Sequence, residues 1–201
     1  MKKIATIVAA LFISIFLTAC GESGGTQADP AAPADSVESE TPAATGGPGT
    51  YNWEFNGATG TIELPGTGDN AVVQEEEALQ RLEALREKAG AAPVYYVRAT
   101  VDNTNGDGNI NMYALEVITE DGDTLSSTAL EDLAVLWTED GDSDLYNEGV
   151  AVYNELIASN SFSPGAKGTA FWAFEKPITS IGRVYVYPAG GMDQVEAIKA
   201  E

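Results

Sequence analysis

The sequence predicts a mainly β protein, a β-sandwich with one added amphipathic helix. Three observations lead there. From Pro93 onward, apolar residues recur at every second position, the period of a strand with one buried face. Short apolar runs are divided by Pro65-Gly66, Asp121-Gly122-Asp123 and Ser163-Pro164-Gly165, which read as turns. One stretch alone, about 72–89, repeats at helical spacing. Many short strands between such turns argue for two packed antiparallel sheets.

The chain ahead of that domain has a different composition. Lys2 and Lys3 precede an apolar run from Ile4 to Leu17, followed by the small pair Thr18-Ala19. That order predicts a signal peptide over 1–19, and the run is shorter than the ~20 residues a spanning helix needs. Leu17-Thr18-Ala19-Cys20 resembles the lipobox of bacterial lipoproteins. The resemblance implies cleavage before Cys20, a diacylglyceryl thioether on Cys20 and acylation of the new amino terminus. The expected address is the cell membrane, lipid-anchored on its extracytoplasmic face. The alternative is a plain secreted protein with a free thiol. Against it, Cys20 is the only cysteine, and a lone exported cysteine calls for a partner or a modification. Two or three acyl chains would hold firmly, at ~0.8 kcal/mol per buried methylene. With no second cysteine, no internal disulfide can form, and the fold must rest on its core.

Residues 20–50 read as the lipidated Cys20 and a disordered linker. Gly21 to Thr50 holds six Gly, six Ala, four Pro, four Thr and three Ser, with five acids and no base. Such a segment buries too little to offset its chain entropy. A flexible chain of that length spans roughly 30 Å, enough to hold a domain clear of the headgroups. The domain proper is expected over 51–190, with a tail over 191–201.

Tyr51 to Phe55 and Gly60 to Leu64 read as the first two strands. In the helix over about 72–89, Ala78, Leu82, Leu85 and Ala89 form one stripe with Leu79 beside it. Glu75, Glu76 and Glu77 stand near its start and Arg86 and Lys88 near its end, as the helix dipole favours. Asp69 or Asn70 is the expected cap, Gly90 the expected stop, and Glu77 with Arg81 an expected pair. The pattern is too brief for a coiled coil, so this helix is expected to pack on the domain. Later strands are expected at Val94 to Val101, Asn111 to Thr119, Leu133 to Trp137, Gly168 to Glu175 and Ile181 to Tyr187. In the second of these, Tyr113, Leu115 and Val117 share a face. Asp140 to Asn147 reads as an acidic loop, Val150 to Ile157 as strand or helix, and Met192 to Glu201 as a short terminal helix.

Val97-Arg98-Ala99-Thr100-Val101-Asp102-Asn103-Thr104-Asn105 resembles the strand ending in Val-x-Asn-Thr of immunoglobulin-like bacterial lipoprotein domains of unknown function. Phe162-Ser163-Pro164-Gly165 is similar to the Pro-Gly turn before a late strand of that family, and Ile181 to Tyr187 fits its last strand. The resemblance covers roughly Tyr51 to Pro188. It implies an immunoglobulin-like β-sandwich akin to secreted mycobacterial antigens, and it brings no catalytic residues. The helix between the second and third strands is an addition to the minimal sandwich.

Charge and composition exclude several functions. The chain carries 31 Asp+Glu against 10 Lys+Arg. Without Lys2 and Lys3 the balance is eight bases against 31 acids, a net −23. Nucleic acid and anionic headgroups would repel such a surface. No histidine is present, which removes the commonest general base and the usual nucleophilic triads. No cofactor and no enzymatic activity are expected. A hydrolase using two carboxylates stays open as an alternative, because acids are plentiful and only geometry would single out a pair.

Calcium is the sharper chemical alternative. Asn103, Asn105, Asp107 and Asn111 stand at loop positions one, three, five and nine, with Gly108 at six and Ile110 at eight. Position one is Asn rather than Asp, and position twelve is Ala114 where a bidentate acid is expected. Asn-Gly and Asp-Gly also make tight hairpins, the preferred reading. Asp140, Asp142 and Asp144 form a second calcium candidate, or a solvated acidic loop.

An aromatic stripe is the remaining candidate. If Val184 and Val186 face inward, Arg183, Tyr185 and Tyr187 face out, with Tyr96 joining them as a surface for peptide or glycan. The alternative is that the 72–89 helix covers that face. The function expected is a non-catalytic binding or accessory module of the cell envelope, with an envelope protein or small ligand as partner. A calcium-stabilised adhesive domain is the alternative from another class.

Overall fold

The computed structural model describes residues 46–66 and 76–201. β1 (Gly49–Phe55) and β2 (Ala58–Leu64) form a hairpin. Its two turn residues, Asn56 and Gly57, both have positive φ, 48° and 79°, the conformation that Asn-Gly supplies most easily. Next come α1 (Glu77–Ala89), β3 (Tyr95–Asp102), β4 (Ile110–Asn111), β5 (Ala114–Ile118) and β6 (Thr124–Ser126). Then follow α2 (Leu130–Leu136), α3 (Ser143–Leu156), β7 (Ser161–Phe162), β8 (Lys167–Phe174), β9 (Arg183–Tyr187) and β10 (Val195–Lys199).

Eight strands make one antiparallel sheet in the order β6-β5-β9-β10-β1-β2-β3-β8, and β4 pairs with β7 apart from it. β10 is the hinge of the sheet. Its residues 195–197 pair with β9, while Ile198 and Lys199 pair with β1. The two outer edges meet once: Thr128 N–H donates to Ala173 O at 2.8 Å, and Ala173 N–H returns to Thr128 O at 3.3 Å. The sheet is therefore nearly barrel-like. Beside that bridge, the Asn160 amide stands in for a missing strand. It accepts from Phe171 N–H at 3.0 Å and donates to Phe171 O at 2.9 Å, so this buried edge keeps its backbone bonds.

Two cores result. Inside the sheet lie Tyr51, Trp53, Ile62, Val97, Leu115, Val117, Trp172, Val184 and Val186, among others. Trp172 is fully buried and its indole N–H donates to Met112 O at 3.1 Å. Outside β3 and β8, the three helices close over Tyr96, Phe171 and Ala173 with Leu79, Leu82, Leu85, Leu133 and Leu156. β8 is thus covered on both faces, which explains the uninterrupted run Ala170-Phe171-Trp172-Ala173-Phe174.

Several expectations need correction. The Leu133 to Trp137 strand is a helix, α2, because Leu130, Leu133 and Ala134 are the buried set at helical spacing. A short apolar run does not separate the two states by period alone. Val150 to Ile157 is resolved as helix through Leu156 in α3, and the acidic loop ends early, at Ser143. The terminal helix is a strand, β10, so residues beyond 191 belong to the middle of the sheet. The domain also starts earlier than Tyr51: Gly47 N–H donates to Ile181 O at 2.7 Å, and β1 begins at Gly49. α1 ends at Gly90 as expected, with φ 68°, but Glu76 at its start makes no side-chain cap. The expected caps Asp69 and Asn70 and the turn 72–75 lie outside the described residues. Arg81 pairs with Glu155 of α3 at 2.6 Å, not with Glu77. Tyr113 is exposed while Leu115 and Val117 are buried, because Tyr113 precedes β5.

α2 and α3 touch through Gly149. A β-carbon there would lie 2.1 Å from Thr138 Oγ1 and 2.9 Å from Ala134 O. Gly149→Val is therefore expected to push the helices apart and destabilise the domain by about 1–3 kcal/mol. A denaturant midpoint unchanged from wild type would refute that packing.

Candidate functional site

The outer face of β5, β9 and β10 carries the stripe expected from alternation. Val184 and Val186 are fully buried, Tyr185 and Tyr187 half-buried, and Arg183 exposed. Register brings partners to each. Glu116 of β5 lies opposite Tyr185, and so does Glu196 of β10. Arg183 donates twice to Glu196, at 2.9 and 2.8 Å, and its guanidinium lies 5.1 Å from the Tyr185 ring centroid. The fork-to-carboxylate geometry is the strong form of this bond, and stacking on the ring holds the planar group flat. Tyr187 OH donates to Glu116 Oε2 at 2.5 Å, and Gln194 Nε2 donates to Tyr187 Oη at 2.8 Å. The bond to Glu116 holds the Tyr187 phenol above the ordinary tyrosine range, while Arg183 holds the Glu196 carboxyl below the usual carboxylate range.

A shallow depression of about 590 Å³ adjoins the stripe across β10, β1, β2 and β3. Its polar lining includes Asn52, Glu54, Thr61, Thr100, Asp102 and Glu196. Thr61 and Thr100 share a hydroxyl bond of 2.8 Å. Asp102 pairs with Lys167 at 2.6 Å, which pulls its carboxyl down to about 2. Glu196 belongs to both the depression and the Arg183 fork, so the two regions form one surface. Rings with polar tips beside hydroxyls and amides can stack on and hydrogen-bond a polar ligand.

Tyr96 is not part of this stripe, a correction to the expected set. It lies on β3 in the other half of the sheet, 1% exposed under α1. The helix does cover a tyrosine face, but it is that of Tyr96 and not that of Arg183, Tyr185 and Tyr187. Tyr96 OH donates to Glu83 Oε1 at 2.8 Å. Glu83 Oε2 accepts from Arg86 Nε at 2.8 Å, and Arg86 NH1 donates to Ala91 O at 2.9 Å. Burial first, then the Glu83 charge, raises the Tyr96 phenol above its ordinary 10.0. The sign follows from linkage: the folded state favours the protonated phenol, so this stability is complete below pH 10 and is lost as pH rises above it. Tyr96→Phe is accordingly expected to flatten the alkaline limb of the stability curve. An equally steep limb in the variant, measured by denaturant melts across that range, would sink the assignment.

The calcium candidates do not converge. Asn103 points inward, 0% exposed, and donates to Gly108 O at 2.9 Å and Phe162 O at 3.0 Å. Asn105 and Asp107 are exposed. Asn103 Oδ1 packs against Gly106, whose missing β-carbon would lie 1.7 Å away, so this amide pins the loop. The hairpin reading is corrected too, since β3 pairs with β2 and β8 while β4 pairs with β7. Asp142 caps α3, accepting from Asp144 N–H at 3.1 Å and Leu145 N–H at 2.9 Å, and Asp144 lies in the first turn where the dipole favours an acid. Asp140 is exposed ahead of that cap. Among the described residues no group of three or more His, Cys, Asp or Glu could hold a metal ion. Cys20 lies outside the described residues.

Sequence reasoning missed Glu116, Gln194 and Glu196 as partners of the stripe. Alternation could have turned Glu116 outward beside Leu115 and Val117, but only the strand order sets it against Tyr185. Comparison with protein-family models, curated proteins and solved structures finds no match to this chain.

Proposed function

We propose that this chain is a lipid-anchored, non-catalytic binding or accessory module of the bacterial cell envelope. Its address rests on the Leu17-Thr18-Ala19-Cys20 motif behind a charged and apolar leader. Cys20 is the anchor, residues 21–45 are a tether, and the domain binds an envelope protein or a small polar ligand through the outer sheet face. One observation carries the binding reading: Tyr185 and Tyr187 are held half-exposed by bonds and stacking, beside a polar depression of about 590 Å³. In its finer detail the fold is an immunoglobulin-like sandwich with added helices. The support for this is that residues 97–102 of the quoted motif lie in β3, that Pro164-Gly165 precedes β8, and that both halves of the sheet feed one core.

The test uses intact cells. Wild-type protein is expected in the membrane fraction, and Cys20→Ser in the soluble one. Crosslinking followed by pulldown is expected to capture a species that Tyr185→Ala/Tyr187→Ala loses at equal protein level. Identical capture by both would refute the sheet face as the binding surface.

A further inference from the structure

A pocket of about 250 Å³ opens in the second core, where the three helices meet over β8. Leu79 of α1, Leu130 of α2, Leu156 of α3 and Phe171 of β8 form its apolar walls, each 7% exposed or less. Leu79 and Leu130 are the first buried residues of their helices, and Leu156 is the last of its own. The pocket therefore lies where three helix ends converge, and no further turn follows to fill it. Ala78, Ser159 and Thr169 line it as half-buried residues, and Glu76 is exposed at its mouth, ahead of α1.

Two polar features give the pocket its chemistry. The first is Ser159, whose Oγ is buried and has no hydrogen-bond partner among the described residues. A buried hydroxyl normally has one, and this one belongs to the lining of a pocket. Its backbone is fixed on both sides. Ser159 N–H donates to Leu156 O at 2.9 Å, and the next residue, Asn160, is clamped to Phe171. The second feature is charge. Among the described residues lining the pocket none is Lys or Arg, and the Glu76 carboxylate makes no ion pair with a described residue. An anionic group at the mouth would meet that carboxylate with no lining cation to offset it.

We propose that this pocket binds a small apolar molecule with one hydrogen-bond-donating head, an alcohol or an amine. The apolar body rests on Leu79, Leu130, Leu156 and Phe171, and the head meets the oxygens of Ser159, Thr169 and Glu76. Size and chemistry choose this ligand. An apolar cavity of about 150 Å³ admits benzene, so this one has room for a ring with a short chain. Apolar walls with a few convergent polar groups are the usual composition of a small-molecule site. A carboxylate head is disfavoured by Glu76 and by the absence of a base in the lining. The pocket lies under the helices, apart from the outer face of β9 and β10, and its test does not depend on that face.

The probes are 2-phenylethanol, 2-phenylethylamine and 3-phenylpropionate. Each is titrated into the mature chain from Cys20 on, without acyl groups or detergent, and followed by amide chemical shifts. Saturable binding of the alcohol or the amine is expected, with the resonances of Leu79, Leu130, Ser159 and Phe171 moving most. The tighter of the two identifies the head. The carboxylate is expected to bind about tenfold more weakly or not at all, and Glu76→Gln is expected to narrow that gap. Ser159→Ala is expected to weaken the preferred probe about fivefold, the worth of one ordinary hydrogen bond, and to change ethylbenzene, which has no head, by less than about twofold. The same variant is expected to keep or raise the Tm of the free chain, because no bond is lost. Ala78→Met lengthens a side chain that already lines the pocket and is expected to abolish binding of every probe, with helical circular dichroism checking that it folds. No saturable binding by alcohol or amine, shifts that scatter away from the pocket, or a carboxylate that binds equally well would each overturn the proposal. So would a Ser159→Ala variant that loses ethylbenzene as it loses the preferred probe, or one whose Tm falls.

Discussion

Glu83→Ala is expected to destabilise the domain by about 3–5 kcal/mol, the usual cost of removing one member of a buried charged pair. Glu83 is only 8% exposed and holds two groups at once, the Tyr96 hydroxyl and the Arg86 guanidinium. Without the carboxylate, the Tyr96 phenol stays under α1 with no acceptor, and Arg86 keeps only Ala91 O and the more distant Glu87 carboxylate, so the phenol carries its desolvation cost and the cation loses its close counter-charge. For a domain of about 150 residues this lowers Tm by roughly 6–20 °C. Replacing the whole network tells a second story. Glu83→Leu/Tyr96→Phe/Arg86→Met removes all three polar partners together and is expected to recover most of the loss. Recovery would show that the network serves to align α1 on β3 more than to stabilise it; a triple variant as unstable as Glu83→Ala would contradict this.

Trp172→Ala is the other large effect. Trp172 is fully buried at the meeting of both halves of the sheet, and its indole N–H satisfies Met112 O. Truncation leaves a cavity, takes from Met112 O the shorter of its two side-chain donors and weakens β8, whose other face supports the helices. A loss of about 3–5 kcal/mol is expected from the cavity alone. Trp172→Phe keeps most of the volume and is expected to cost less than half as much. The distinguishing measurement is two-probe unfolding. Near-ultraviolet signals from the sheet core and far-ultraviolet helix signals are expected to melt together in wild type, since β8 belongs to both cores. Separate transitions would mean that the helices and the sheet are independent units.

How far the sequence could be read depended on what each residue needs nearby. Strands with one wet face were legible: Tyr51 to Phe55 and Ile181 to Tyr187 alternate because water decides every second side chain, and Val94 to Val101 kept its period of two although α1 covers part of its outer face. α1 was legible from its stripe and from Gly90, where φ must turn positive. Failures came where tertiary contacts decide. Leu133 to Trp137 alternates poorly and is short, and only its burial against α3 makes it helical. Met192 to Glu201 contains charged residues on an exposed side, so β10 reads as a helix until β1 and β9 are seen to need it between them. At the candidate site, the outward turn of Arg183, Tyr185 and Tyr187 followed from Val184 and Val186. Their carboxylate partners come from positions 116 and 196, and no local pattern announces a register between strands so distant in sequence. Tyr96 shows the converse error: alternation turned it outward correctly, but could not know that α1 lies there.

Cys20 carries the central claim, and one mass measurement tests it most directly. No Lys or Arg lies between Lys3 and Arg81, so trypsin leaves the tether and the start of the domain in one fragment. For protein purified from membranes, that fragment is expected to begin at Cys20, end at Arg81 and carry the added mass of two or three acyl chains. A fragment beginning at Ile4, or one beginning elsewhere with an unmodified Cys20 thiol, would contradict the account.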